Sequence, residues 1–268
     1  MSIERLDFAA TLARKAGDLG MDYFRRLETL TVTKKGHQDL VSEADRDVET
    51  LVRKALAAAY PEDGIVGEEH GDVEGTSGYT WVIDPIDGTA NFLTSIPQWC
   101  VIIACVHNGE TIVGVIHDPN VNETFRAAKG HGAFVNDRPI KVTDSDSLSN
   151  GSLGIGFNGR TTASDAINCI GALVSKGGVF FRNASGGLML AYAASGRLIG
   201  YCESHMNAWD CLAGMLITTE AGGEVAPYDA HDTLINGARV VVGGPGVFKE
   251  ICDIADASFA PLEMKQSA

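Results

Sequence analysis

A chain of 268 residues, 45% hydrophobic with a mean hydropathy of +0.03, can bury a sizeable core as one large domain or two intimate lobes. Its 35 acidic against 21 basic residues give a formal charge of -14, which argues against broad contact with a nucleic-acid backbone but leaves small phosphorylated molecules compatible, held by metals and helix ends. No stretch approaches the eighteen or so apolar residues of a spanning helix, and Met1-Ser2-Ile3-Glu4-Arg5 lacks a basic-then-apolar leader, so a cytoplasmic protein without membrane contact is expected.

Leu6, Ala9, Ala10, Ala13, Ala16, Gly17, Gly20 and Phe24 recur at steps of three and four, which predicts a long first helix with a close-packed small-residue face. Val32 to Gly36 reads as a short strand and turn, and Glu43 to Tyr60 as a second helix stopped by Pro61, with Asp45 in its first turn. Trp81, Val82 and Ile83 form an apolar run of strand type, and Asp84 falls where that strand should emerge at the sheet edge that ligands prefer. In Asp84-Pro85-Ile86-Asp87-Gly88-Thr89, Pro85 biases Asp84 toward extended geometry while Gly88 permits a sharp turn, so two carboxylates and free backbone N–H groups face one point. Carboxylates hold a hard cation and N–H groups hold an anion. A bare D-x-x-D-G is also an ordinary turn former.

Between Cys100 and Val142, β-rich runs at Val101 to Val106, Thr111 to His117 and Glu123 to Ala128 are punctuated by Asn108-Gly109, Asp118-Pro119-Asn120 and Lys129-Gly130, the pattern of an antiparallel sheet with hairpins. The polar stretch Thr143 to Asn150 joins an N-terminal α+β lobe, about 1–143, to a C-terminal α/β lobe, about 151–260, of a single domain. In the second lobe, strands at Gly151 to Gly156, Val179 to Arg182, Ile199 to Glu203 and Arg239 to Gly243 alternate with helices at Ala163 to Lys176, Gly186 to Ser195 and Ala208 to Ala221. The last ten or so residues are expected to fray.

Gly154-Ile155-Gly156-Phe157-Asn158-Gly159 satisfies G-x-G-x-x-G, but about twenty positions on the chain reads Val174-Ser175-Lys176-Gly177-Gly178-Val179, with no acid to hold a ribose. It is taken as a Gly-rich turn. The cysteines Cys100, Cys105, Cys169, Cys202, Cys211 and Cys252 show no C-x-x-C pair and no zinc spacing, and read as reduced core residues. The seven histidines have no i, i+4 pairing, and the Asn-x-Ser/Thr triplets at Asn122, Asn150 and Asn183 carry no glycosylation meaning without secretion. Glu68 and Glu69 singly read as a solvated turn and Asp210 as a favourable charge at a helix start. Together with Asp84 and Asp87 they supply an all-oxygen set that suits Mg2+, with Mn2+ as a substitute.

The string Trp81-Val82-Ile83-Asp84-Pro85-Ile86-Asp87-Gly88-Thr89-Ala90-Asn91-Phe92 resembles the signature of the inositol monophosphatase family of magnesium-dependent phosphatases. Further blocks agree in order: Asp39-Leu40-Val41-Ser42-Glu43-Ala44-Asp45, Gly67-Glu68-Glu69, and Trp209-Asp210 with Ala213-Gly214 and Glu220-Ala221-Gly222-Gly223, so the resemblance spans about residue 10 to about residue 245. It implies a mixed α-β fold, the layered α-β-α-β-α sandwich of the sugar phosphatases, a homodimer, and inhibition by Li+. One Mg2+ would be held by Glu68, Asp84 and the Ile86 carbonyl, and a second by Asp84, Asp87 and Asp210. A third, weaker ion would sit near Glu68, with Asp45 orienting its shell. Thr89 and Glu68 would position the attacking water, with no covalent phospho-enzyme, and the amides of Gly88 and Thr89 would cradle the phosphate.

On the leaving-group side the resemblance assigns Ser185, Gly186, Glu203 and Asp210. Glu203 is retained, which favours a polyhydroxylated substrate, while Ala184 and Gly186 replace the family's usual Gly and Ala, and Asn207-Ala208 also depart. Inositol 1-phosphate or a similar polyol phosphate is the leading substrate, with histidinol phosphate, fructose 1,6-bisphosphate and NADP as alternatives. Ala90-Asn91-Phe92 after the Gly-Thr disfavours adenosine 3',5'-bisphosphate. Two readings of another class are a regulatory partner of a transcription complex, as for some bacterial relatives, and a noncatalytic cation buffer.

Overall fold

Alternation along two neighbouring strands shows where the layers lie. Trp81, Ile83, Val101, Ile103 and Cys105 are buried in one apolar cluster, whereas Val82, Cys100, Ile102, Ala104 and Val106, each offset by one residue, are buried in another. A sheet covered on both faces is the consequence. The computed structural model describes residues 2–29, 32–36, 39–159 and 162–259; the N-terminal methionine and the tail expected to fray lie outside them.

The outer layer on the first face is α1 (Ser2–Phe24) with α2 (Glu43–Ala59), which flank a ribbon of β1 (Val32–Gly36) and β2 (Asp39–Ser42). Ala9, Ala13, Ala16, Gly17 and Gly20 form the buried stripe of α1, as their spacing predicts, and α2 stops at Ala59 ahead of Pro61. The sheet beneath has seven strands in sequence order: β3 (Gly64–Gly67), β4 (Tyr79–Asp87), β5 (Cys100–His107), β6 (Glu110–Asp118), β7 (Glu123–Ala128), β8 (Ala133–Val135) and β9 (Arg138–Pro139). Only β3 and β4 are parallel. The short α3 (Thr89–Leu93) follows β4.

The C-terminal half contributes β10 (Ser152–Ile155), α4 (Ala163–Ser175), β11 (Val179–Phe181), α5 (Gly186–Ala194), β12 (Gly200–Met206), α6 (Ala208–Glu220), β13 (Glu224–Val225), α7 (Ala230–Asn236), β14 (Ala238–Gly243) and α8 (Pro245–Ser258). Its five strands are ordered β11-β10-β12-β14-β13, with β10 parallel to both neighbours and β14 antiparallel to both of its own. Tyr201, Met206, Val240 and Val242 point to the cluster that also holds α5, α6 and the second face of the seven-stranded sheet, while Leu153, Ile155, Cys202 and Val241 pack against α4 and α8.

The layers therefore run helix, sheet, helix, sheet, helix. Each Ile, Phe or Leu fully buried between them contributes about 1.5–3 kcal/mol, and because α5 and α6 serve both sheets, the central layer belongs to neither half alone. The segment 143–150, read as the lobe junction, carries only a single 3-10 turn at Leu148–Asn150. All six cysteines are free, five of them buried, and among the described residues no helix is long and apolar enough to cross a membrane.

Candidate active site

Asp84 and Asp87 are three residues apart on one strand, and regular alternation would send them to opposite faces. A bulge prevents this. In the β4–β5 register Asp84 faces Ile102 and Asp87 faces Cys100, so three steps on β4 oppose two on β5. Ile86 accordingly turns into the cluster under α1 and α2, while Asp87 joins Asp84 on the face toward α5 and α6. Pro85 suits that irregular position because the ladder there needs no N–H. The Ile86 N–H bridges the bulge to Asp84 Oδ1 at 3.0 Å.

A third carboxylate arrives from α6. Asp210 occupies the third position of that helix and accepts the Asn207 N–H at 3.2 Å, the helix-start role its sequence context implies. Oxygens of Asp84, Asp87 and Asp210 all lie within 4.8 Å of one another. Asp84 is 1% exposed, and burial first, then the charges of Glu68, Asp87 and Asp210, hold its carboxyl well above the usual range; it is hydrogen-bonded to Asp210 as well. Burial also raises Asp87, but the Ser185 hydroxyl and the Gly187 N–H (2.7 Å) oppose the shift, and the Cys100 thiol approaches the same Oδ2 at 3.5 Å. Three carboxylates gathered this closely, one of them buried and two half-buried, form an all-oxygen group that could hold a divalent cation.

Two expected site residues gather around Thr89. Its hydroxyl donates to the Ile86 carbonyl at 3.0 Å and reaches Asp45 Oδ1 at 3.4 Å. Asp45 lies at the third position of α2, 1% exposed, where its other oxygen accepts Ser42 N–H (2.8 Å) and Ser42 Oγ (2.6 Å) in a capping box; burial nevertheless keeps its pKa raised. The turn between Asp87 and Thr89 depends on Gly88, whose φ of 97° and ψ of 35° are left-handed and whose added Cβ would stand 2.9 Å from the Gln98 carbonyl. Glu68 follows β3, half-buried; its charge is the largest single influence on Asp84 after burial, although its carboxylate is not part of the three-acid group.

Beside the acids opens a pocket of about 130 Å3 lined by Asp87, Asp210, Glu203, Ala184, Gly186 and Arg182, with the Gly156–Asn158 turn closing one side. The Gly-rich turn read from the sequence is thus a wall of the pocket. Glu203 is 6% exposed; it accepts from the Tyr201 hydroxyl and from Asn158 Nδ2 at 2.8 Å, and burial lifts its pKa to about 7. Ser185, read as a substrate contact, is fully buried: its hydroxyl donates to Asp87 and accepts the Leu188 N–H as the N-cap of α5. Gly186 does line the pocket.

Asn91 and Arg182 were not singled out by sequence reasoning. Asn91 Nδ2 donates to the Gln98 carbonyl (2.7 Å) and to the Asn183 carbonyl (2.6 Å), tying the loop that carries Ser185 to α3. A lone Asn beside Phe92 gives no local sign of such a link. Arg182 was visible as the one basic residue before Ala184-Ser185-Gly186, and it donates to the Phe157 carbonyl at 3.0 Å.

A family model described as the inositol monophosphatase family matches residues 3–258. The Nus factor SuhB of Xylella fastidiosa is 41% identical over 222 residues, which cover 82% of this chain and 80% of that protein. Among solved structures, the extragenic suppressor protein suhB of Bartonella henselae matches with a TM-score of 0.89 at 30% identity, covering 94% of this chain and 98% of its own. The Thermotoga maritima IMPase matches at 0.85 with 29% identity, covering 95% and 98%.

Proposed function

This chain belongs to the inositol monophosphatase family, and on that premise we propose that it is a Mg2+-dependent phosphomonoester hydrolase, releasing inorganic phosphate from inositol 1-phosphate or a similar polyol phosphate. The observation that carries this reading is the convergence of Asp84, Asp87 and Asp210 from a bulged strand and a helix start, within 4.8 Å, at the wall of a pocket. The residues fit hard divalent cations: the donors are all oxygen, and burial together with the charges of Glu68, Asp87 and Asp210 raises Asp84, a cost that a bound cation would relieve.

Asp84 would bridge two ions, with Glu68 and the Ile86 carbonyl on one side and Asp87 and Asp210 on the other; a third would lie near Glu68. Such ions, Mg2+ or in substitution Mn2+, lower the pKa of a bound water and neutralise phosphoryl oxygens. Thr89 and Glu68 orient the attacking water, and Asp45 Oδ1, 3.4 Å from the Thr89 hydroxyl, is a second acceptor for its proton besides the Ile86 carbonyl. The N–H groups of Gly88 and Thr89 receive the phosphate. Glu203, with Gly186, faces the hydroxyls of the leaving group, and Ser185 acts on that side only through Asp87 and the α5 cap. The whole chain serves as one catalytic unit, its halves of about 1–143 and 151–260 meeting at the α5 and α6 layer. A cytoplasmic homodimer inhibited by Li+ belongs to the same reading.

The test is Mg2+-dependent phosphate release from inositol 1-phosphate, histidinol phosphate, fructose 1,6-bisphosphate, adenosine 3',5'-bisphosphate and NADP, with Asp87→Asn as control. One preferred ester, lost in the variant, supports the reading. Silence on all of them with Mg2+ bound would sink it. The Nus-factor name carried by a relative at 41% identity favours a second reading, a regulatory partner of a transcription complex, here by protein contact given the charge of -14. Alanine at both Asp84 and Asp87 separates the two: a regulatory phenotype that survives loss of turnover belongs to the partner role.

A further inference from the structure

Asp45, Glu49 and Arg53 follow one another at four-residue steps along α2, which places them on a single stripe of the helix. Asp45 belongs to the site. Glu49, one turn on, is 0% exposed, and Arg53, one turn further, keeps only 13% of its side chain in solvent. The pair is joined by Arg53 Nε to Glu49 Oε1 at 2.6 Å.

Both side chains then grip the backbone that follows β3. Glu49 Oε2 accepts the Glu69 N–H at 2.7 Å and Oε1 the His70 N–H at 3.2 Å, while Arg53 donates through Nη2 to the His70 carbonyl and through Nη1 to the Gly71 carbonyl, each at 3.0 Å. On the other side of Glu68, a Cβ at Gly67 would stand 2.3 Å from Glu49 Oε1 and 2.9 Å from Arg53 Nη2, so the pair lies hard against that backbone too. Glu68 is the residue between these two anchored neighbours.

We propose that Glu49 and Arg53 form a positioning latch that fixes Glu68 relative to Asp45 and Asp84, and thereby sets the affinity of the cation site that Glu68 completes. Glu49 is no ligand itself, because N–H donors engage both of its oxygens. Arg53 cancels its charge, so the latch adds no net negative potential beside acids already in repulsion. A buried ion pair stabilises little more than apolar side chains of the same volume would. What apolar side chains could not do is hold the N–H and carbonyl groups of residues 69–71 in one geometry, and ligands held through such outer partners lose about ten- to a hundredfold in metal affinity when those partners go.

The latch rests on the hydrolase reading only through the metal site, so the test reads metal binding without substrate. Metal-free parent, Glu68→Gln, Glu49→Gln, Arg53→Lys and the pair Glu68→Gln with Arg53→Lys are titrated with Mg2+ by calorimetry, alongside Lys54→Ala on the exposed face of α2 and melting curves for all. The expected result is a Kd about ten- to a hundredfold weaker in either latch variant, no further loss when Arg53→Lys is added to Glu68→Gln, and parent affinity in Lys54→Ala. Latch variants that fold and bind like the parent would overturn it, as would independent, multiplying losses in the pair. If Glu49→Gln does not fold, Arg53→Lys, which keeps the charge but not the fork, carries the same comparison. A parent that binds no Mg2+ overturns the metal site and the latch together; a parent that binds Mg2+ yet cleaves no ester sinks the hydrolase reading alone.

Discussion

The cation side and the leaving-group side of the site are built on different physical plans. Four acids on the cation side are each fixed by a main-chain donor: Asp45 by Ser42 N–H, Asp84 by Ile86 N–H, Asp87 by Gly187 N–H and Asp210 by Asn207 N–H. The groups opposite, Glu203, Tyr201, Asn158 and Arg182, hold one another or the carbonyls of Phe157 and His205 through side chains. Side-chain partners change with one substitution, whereas a helix cap or a bulge changes only with the local fold. Chemistry common to a family belongs on the first plan and substrate choice on the second.

The comparison breaks most visibly at Asp84. Asp84→Asn should lower turnover at least about a hundredfold, more than the loss of an outer partner alone would cause. The same change should raise the melting point of the metal-free protein by about 2 °C or more, because it removes a carboxyl whose ionisation is opposed first by burial and then by the charges of Glu68, Asp87 and Asp210. A raised carboxyl pKa means stability that is complete at low pH and lost as pH rises through the folded value, so metal-free parent should melt higher as pH falls from neutral, and Asp84→Asn should flatten that slope. A metal-free variant that melts below the parent would show that burial and repulsion are not what shape this side.

Ser185→Ala is the next step down. It removes the hydroxyl from Asp87 and the cap from α5, with an expected loss of about 1 kcal/mol in stability and about tenfold in turnover, and little change in KM for the polyol phosphate. A change confined to KM would move Ser185 to the leaving-group side, where the sequence had put it.

Glu203 tests that side directly. Its carboxyl titrates at about 7 from an ordinary value of 4.5, among Tyr201, Asn158, Asp210 and Arg182. The raised value again means stability that is whole below about pH 4.5 and is lost as pH rises from there through about 7, a cost on the order of 3 kcal/mol in the metal-free protein above that range. As ionisation lets Glu203 accept from substrate hydroxyls, KM should fall as pH rises through about 7, while Glu203→Gln should flatten both profiles. A KM that ignores pH in the parent would remove Glu203 from leaving-group binding.

Sequence legibility followed the range of the interaction. The stripe of α1, the start of α2, the β5 to β7 meander and the acids of β4 depend on neighbours within a few residues, and all were readable. The bulge was not, since its sign is the parity of a register shared with β5. Asn91 and the inward role of Ser185 act across 92 and 98 residues, and Glu49 with Arg53 looks like any i, i+4 surface pair until the backbone of residues 69–71 closes on it. The strands β8, β9 and β13 are too short for a period to declare itself. In α8 a readable sign was passed over: Pro245 opens the helix and Val247, Ile251, Ile254 and Ala255 are its buried stripe.

The smallest expected effect is the most discriminating. Ala184 lines the pocket with a φ of 63°, a left-handed conformation that disfavours a Cβ. Ala184→Gly removes roughly 1–2 kcal/mol of steric cost but gives back 0.4–1 in unfolded-chain entropy, so a net gain of about 0.5–1 kcal/mol and a melting point about 2 °C higher are expected. Mg2+ affinity should stay unchanged, since no acid of the cation side touches this methyl group through a main-chain donor. If the variant is more stable and its preference among phosphate esters shifts, the strain is tied to substrate choice and the two sides of the site are separable. If Mg2+ affinity moves with it, the Asn183–Gly187 turn belongs to both sides, and the division between them fails at the point where Ser185 joins Asp87.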